Sequence, residues 1–406
     1  MTKKEEEEPK TTPTQPKRSS LPSLVLKVLL SPGRAFAEIK EAPRYFGPFL
    51  IMLLFIGANT GFLYVYASKI QVEQILPTLE QLDQWTENTT LWTSVSSVSI
   101  TENFVDFING SYYGNRSIEF STLDSAQLPA TLSNIGPVNC YGSDGYTEMS
   151  VRIKLNSPAV IPQNISVYLF SANISDHFCY NSSEAFVNFT TNAWNNLTFA
   201  LGTSQWVGGG LGANWSSISG LKLELAWPSN SNITVLIDGL FFHGVFKTPM
   251  EMLGNAYVLN FGVISMTQFV IQWALLCGLI YVVTKAFGAK TFWKPLLVAI
   301  GFVLITMLIQ AVANAALFST LPQVRYPFSF LGGVEGEGEA DLTRILDETS
   351  WVNMISSYIR MAVYAWIIVL CGVAIKQLTE FSLTKSLLIS AAAFFASIMV
   401  SYMLGI

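Results

Sequence analysis

Residues 221–242 read LKLELAWPSNSNITVLIDGLFF. Leu221, Leu223, Leu225 and Trp227 alternate with Lys222 and Glu224. That two-residue period belongs to a strand with one face in a core and one in water. Ile233 to Phe242 reads as a further strand. Asn232, between them, begins an Asn-x-Ser/Thr sequon, and it is the last of ten. The others are Asn88, Asn109, Asn115, Asn164, Asn173, Asn181, Asn188, Asn196 and Asn214, and none lies outside this block. A glycan needs a solvated loop on the non-cytosolic side of a membrane, so the block is expected to be outside the cell and sugar-coated.

The rest of the block repeats the pattern. Val151, Ile153 and Leu155 alternate with Arg152 and Lys154, and Ile165–Phe170 and Asn196–Leu201 look like further strands. The sequons from Asn164 to Asn196 recur at the spacing of strand-plus-turn units. A single antiparallel β-sandwich of about 150 residues fits, preceded by a polar, Leu-bearing helical stalk over 68–86. Cys140 and Cys179 lie in this block, where a disulfide is permitted; one bridge between them is expected, two free buried thiols being the alternative.

Half the chain is apolar, only 13% is charged, and the mean hydropathy is +0.40. These values exclude an ordinary soluble protein of this length. A net charge of -5 argues against nucleic acid as a partner, and two histidines leave little room for His-based catalysis or a multi-His metal site. Five apolar runs are long enough to span a bilayer: 46–66, 256–283, 295–318, about 354–375 and 386–405. Residues 1–20 form a polar, disordered tail, and 21–45 short amphipathic helices along the inner membrane surface. Lysines and arginines crowd the chain before the first span, the second-to-third connection and the fourth-to-fifth connection, which places those inside. The 70–248 block, the acidic 319–352 connection and the C-terminus are then outside. Cleavage after Val65-Tyr66-Ala67 is the competing reading of the first run.

The run Leu30 to Tyr45, with Ser31-Pro32, Phe36, Ile39 and Pro43 followed directly by a span, resembles the leading segment of the YIP (Ypt/Rab-interacting) membrane family. The resemblance covers 21–66 and, more loosely, 250–406. It implies a five-helix bundle with a cytosolic N-terminus and, in eukaryotes, a role in vesicle traffic. The large insertion between the first two spans departs from that pattern and points to an archaeal surface protein. Trp194–Leu201, Trp206, Asn214–Ile218, Leu221–Trp227 and Ile233–Phe242 are similar to the later strands of galactose-binding-like jelly rolls, often carbohydrate-binding modules. This implies sugar binding on a face or rim, and a structural calcium.

The candidate residues follow. Tyr141, Trp206 and Trp215 lie in Gly-rich or polar loops and would stack on sugar rings; the tryptophans are alternatively sandwich core. Asp238, with Asp144, would ligate calcium through loop oxygens, or Asp238 caps a tight turn. Gln268 and Gln272 share one helix face, as do Gln310 and Asn314, either as interhelical glue or as a polar path. Arg360 is the lone charge in its run and either snorkels to the outer surface or binds a lipid headgroup or a loop acid. Glu335, Glu337 and Glu339 read as a flexible loop or a weak cation site. No phosphate loop, zinc spacing or catalytic triad order is present, so the chain is read as a non-enzyme. The expected partners are membrane lipid, an extracellular glycan or envelope protein, and a cytosolic or membrane protein. The expected role is surface recognition or adhesion, with a transporter-accessory or lipid-organising protein as the alternative.

Overall fold

The computed structural model of the chain describes residues 20–110, 112–290, 292–331 and 338–403. The tail up to residue 19, Glu335 and Glu337, and the C-terminal end at 404–406 lie outside the described residues. In chain order the helices are α1 (Leu21–Leu30), α2 (Pro32–Glu41), α3 (Phe46–Lys69), α4 (Pro249–Leu253), α5 (Asn255–Ala286), α6 (Trp293–Val303), α7 (Ile305–Ser319), α8 (Glu339–Thr379) and α9 (Leu383–Met403). The strands are β1 (Ile70–Leu76), β2 (Trp92–Thr93), β3 (Ser99–Asn103), β4 (Ser117–Val138), β5 (Glu148–Ser157), β6 (Asn164–Phe170), β7 (His177–Ser182), β8 (Trp194–Ala200), β9 (Val207–Gly209), β10 (Ile218–Lys247) and β11 (Val324–Tyr326). Two compact units result. The helical unit holds the chain up to Tyr66, Asn255–Thr320 and Val352 onward; the β unit holds Ala67–Gly254 and Leu321–Trp351.

All five expected spans are helices apolar and long enough to cross a membrane. The third is broken into α6 and α7 at Leu304, whose ψ of 0° departs from helical geometry. Pro32 opens α2 at its first position, where a missing N–H leaves no bond unmade. Val28, Ala35, Phe36 and Ile39 are buried in one core with Ile51, Phe269 and Phe302. Lys40 Nζ donates to the Gln377 carbonyl at 3.0 Å. The amphipathic pair α1–α2 thus packs Val28, Ala35, Phe36 and Ile39 on the bundle and leaves Leu26 and Leu30 exposed.

The β unit is a sandwich folded from one continuous 11-stranded sheet and organised by two long antiparallel strands, β4 and β10, which run side by side. The first half of β10 pairs with β6, followed by β7 and β9. Its second half pairs with β5, followed by β8. Leu221, Leu223, Leu225 and Trp227 face Val235, Ile237 and Phe242 within one core, joined by Met149, Val151 and Ile153 of β5 and Val167 of β6. Burying such a core stabilises by roughly 1.5–3 kcal/mol per large side chain. The alternation read from the sequence is therefore the sandwich interior.

Two features depart from expectation. Residues 70–76 are a strand, not part of a helical stalk: β1 pairs antiparallel with the end of β10, Val72 opposite Lys247 and Leu76 opposite Phe242. β-Branched Ile70, Val72 and Ile75 suit this edge. The 319–352 connection also contributes, since β11 pairs parallel with β1, Val324 opposite Ile70. The outward side of the β5–β10 sheet is dry as well. Ile75, Ile108, Tyr113 and Phe328 cover Phe241, and Arg152, expected on a wet face, is buried beneath the Tyr113 ring at 4.6 Å.

Candidate functional site

A basin of about 600 Å³ opens in the β unit where β1, the end of β10, the start of β5 and the segment after β11 meet. That volume falls in the range of ligand sites. Its floor is Glu73 and His243, both nearly inaccessible. The Glu73 carboxylate accepts from His243 Nδ1 at 2.8 Å, from the Gly244 N–H at 2.7 Å and from the Phe328 N–H at 2.6 Å. Burial pushes the Glu73 pKa up, but the His243 hydrogen bond and charge and the two N–H groups outweigh it, and the net shift is down. Glu73 is therefore ionised, and His243 carries its proton on Nδ1. The other ring nitrogen is buried with no partner among the described residues, and the ring lies 4.4 Å from that of Phe328. His243 thus fixes the floor and does not reach into the basin.

The reachable groups stand around this floor. Glu148 is paired with His243 across the sheet, half exposed, its Oε2 3.6 Å from Nδ1. Arg325 donates to Gln71 Oε1 at 3.2 Å and lies over the Phe246 ring. Asp341 accepts from Ser329 Oγ at 2.9 Å. The loop carrying Ser143 and Gly145 forms another wall. Carboxylates, a guanidinium and hydroxyls so mixed suit a neutral polyhydroxylated ligand, whose hydroxyls both donate and accept. No sequon asparagine lines the basin.

A second polar cluster lies inside the fold. Asp238 and Asp83 are fully buried side by side. Asp238 accepts from the Ile108 N–H at 2.8 Å and the Gly239 N–H at 2.8 Å. Asp83 accepts from the Gly239 N–H at 2.6 Å and from the Thr86 hydroxyl. Burial raises both pKa values, Asp238 also feeling the Asp83 charge. Arg152 is the residue directly across the sheet from Asp238. Two carboxylates, one guanidinium and one shared proton sum to zero, the balance a buried site requires. These residues do not fit a calcium ion. Three of the four carboxylate oxygens already accept from N–H or O–H groups, leaving Asp83 Oδ1 alone without a partner among the described residues, whereas calcium takes six to eight oxygens. Asp144 is not here: it is exposed and lies 3.8 Å from Lys247 Nζ.

Other expected residues fall as follows. Trp206 is buried, its indole N–H donating to the Ala200 carbonyl at 2.8 Å. Trp215 stacks on Phe178 at 4.1 Å and meets the Trp206 edge. Trp206 is thus closed off in the core, and Trp215 is half-buried with one face on Phe178. Tyr141 is exposed, in the loop that walls the basin. Cys140 faces the core, where burial pushes its thiol up to about 12. Cys179 pairs with Tyr168 on the outward side of the sheet. Both are free thiols, and their opposite facing is why the expected bridge is absent. Nine sequon asparagines are exposed and Asn164 is half-buried. The register puts Asn181 on the same outward face as Ser166 and Glu224. In the helical unit, Gln268, Gln272, Gln310 and Arg360 line one cavity, while Asn314 is turned aside to Ser356.

No protein-family model and no curated protein matches the sequence. Similar solved structures include the family 11 carbohydrate-binding module from Clostridium thermocellum in complex with a β-1,3-1,4-mixed-linked tetrasaccharide, at 13% identity over 42% of this chain and 95% of that one, TM-score 0.28. The family 30 module of a cellulosomal cellulase from Clostridium thermocellum is similar at 10% identity over 41% and 91%, TM-score 0.28. So is the xylan-binding CBM22-1 domain from Paenibacillus barcinonensis Xyn10C, at 14% identity over 40% and 91%, TM-score 0.25.

Proposed function

We propose that this is a multi-pass membrane glycoprotein that recognises carbohydrate outside the cell through the Glu148–Arg325 basin. The observation that carries this is the basin itself: a sequon-free hollow whose reachable groups are hydrogen-bonding and whose floor is locked by Glu73 and His243. The ligand is a glycan of the cell envelope or of a neighbouring cell, and the action is binding without turnover. The YIP-like reading of the 30–45 run and the five helices supplies a membrane anchor with a cytosolic N-terminus. The shared β1–β11 pairing supports a common side for 70–248 and 321–351, in agreement with the charge count.

The test is a glycan array probed with the full-length protein in lipid nanodiscs. A fragment covering 85–246 alone lacks β1 and β11 and half the basin. Glu148→Gln and Arg325→Gln are each expected to weaken binding by roughly tenfold or more, since hydrogen bonds to charged groups contribute about 1.5–3 kcal/mol. Array binding unchanged in both variants, or no binding by the parent, refutes the proposal. Hydrolysis of a bound glycan refutes the non-enzymatic part.

A further inference from the structure

Arg360 is the only charged residue in the five apolar runs, and none of them contains an Asp or Glu. It lies six residues past Met354, about 9 Å into its run at 1.5 Å per residue. There it lines a cavity of about 380 Å³ together with Gln268 and Gln272 of α5, Gln310 of α7, Tyr364 of α8 and Ser401 of α9. Interhelical gluing accounts for part of this set. Gln272 donates to Ser397 Oγ at 3.1 Å and Asn314 accepts from Ser356 at 3.3 Å. It does not account for Gln268, Gln310 or Arg360, which have no hydrogen-bond or ion-pair partner among the described residues. Tyr364 is held in place by the Phe394 ring, edge to face at 5.2 Å.

A guanidinium at this depth is unfavourable by at least about 2.5–3.5 kcal/mol unless its charge is met. Neutral amides supply dipoles and no countercharge. The Gln268 and Gln310 side chains and the Tyr364 hydroxyl add donors around the guanidinium, an arrangement that matches an oxyanion: the planar fork takes two oxygens, and amide N–H groups take the rest. We propose that the helical bundle carries an intramembrane binding site for a phosphate-class oxyanion, with Arg360 as the charged ligand and Gln268 and Gln310 as its hydrogen-bonding partners. The anion is either the headgroup of an anionic phospholipid or a small soluble phosphate.

The full-length protein is placed in phosphatidylcholine nanodiscs with a minor fraction of phosphatidylglycerol. It is then released for native mass spectrometry, and separately tested for binding of labelled inorganic phosphate. The parent protein is expected to retain a phosphatidylglycerol adduct or to bind phosphate, and Arg360→Gln to reduce that roughly tenfold or more. An adduct that excess inorganic phosphate does not displace identifies the lipid source; direct phosphate binding identifies the soluble one. If Arg360→Gln does not fold, the Gln268→Leu/Gln310→Leu double variant, which keeps the charge, must show a reduction of several-fold. Equal retention in parent and variants, or neither probe bound by the parent, overturns the proposal.

Discussion

Replacing Asp83 with Asn removes one charge from the buried pair while keeping the shape of the side chain. At neutral pH the native pair carries one proton that an ordinary aspartate, with a pKa of 3.8, has lost. Holding that proton at pH 7 opposes folding by about 4 kcal/mol, at 1.36 kcal/mol per pH unit. Because the folded pKa is raised, the stability associated with the pair is fully present below the unfolded value and is lost as pH rises through the folded one. The slope between about pH 6 and 8 is then near -1.4 kcal/mol per unit, and it is steeper below, where Asp83 also takes up a proton. In Asp83→Asn the Asp83 charge that helps hold a proton on Asp238 is gone, and burial still raises the Asp238 pKa. The amide N–H placed where Asp83 Oδ1 is orphaned costs about 1–3 kcal/mol. The variant is expected to gain on the parent as pH rises, by at most about 3 kcal/mol at pH 7, and to show a shallower slope. Melting of the full-length protein in detergent, followed by tryptophan emission from pH 5 to 8.5, reads both. Glu87, a further acid near Asp83, and Arg152 are unchanged in both proteins and cancel in the comparison. If parent and variant have parallel pH profiles, the shared proton does not exist. A rise in the parent's melting temperature on adding calcium, reversed by chelator, would instead put a metal ion there.

Other perturbations separate the remaining claims. Glu73→Gln loses an anion that accepts three donors, and its lowered pKa means the lost stability is present above the ordinary glutamate value and vanishes as pH falls. The variant should therefore lie about 1–3 kcal/mol below the parent at pH 7 and converge with it in acid, by the same melting assay. Trp206→Ala empties a core position and is expected to destabilise by about 3–5 kcal/mol, detectable as accelerated proteolysis between 150 and 240. Gly47→Ala drives a methyl into the Phe302 ring and should destabilise the bundle by about 1–3 kcal/mol, read as a lower melting temperature in detergent. Alkylation of the denatured, unreduced protein should modify both Cys140 and Cys179; an intact mass showing neither modified would contradict their separate placement.

The sandwich was legible because Leu221–Trp227 and Val151–Leu155 carry a strict two-residue period, and each strand has one dry face against the other layer. The spans were legible from length and apolarity alone. The basin was not. Glu73 and His243 are 170 positions apart, and neither stands in a motif. β11 is three residues long, too short to carry a period, so its contribution to the sheet leaves no mark in the chain. Arg152 was placed on the outward side of its strand, where it is; the sequence does not announce that Ile108 and Tyr113 cover that side. Asp238 was singled out for a metal, but its neighbour Asp83 sat in a stretch read as stalk. Trp206 is buried although its glycine-rich surroundings resemble an exposed loop, and Trp215 is half-buried against Phe178. In the bundle, Gln268 and Gln272, four residues apart, line one cavity, whereas of Gln310 and Asn314 only Gln310 does. Which member of each pair met a neighbouring helix and which met a cavity depended on Ser356 and Ser397, residues on other helices.

The parallel pairing of β1 with β11 has a bearing on how the protein is made. β1 emerges from the ribosome soon after the first span, yet the strand that closes its outer edge follows two hydrophobic segments later. The β unit is thus left with an open, β-branched edge throughout insertion of the second and third spans, when strand edges invite aggregation. A nascent chain stopped before residue 321 is incomplete in its outward half even though every core strand has been synthesised. Quality control that samples this interval has Ile70–Leu76 as its most accessible sign that biogenesis is unfinished.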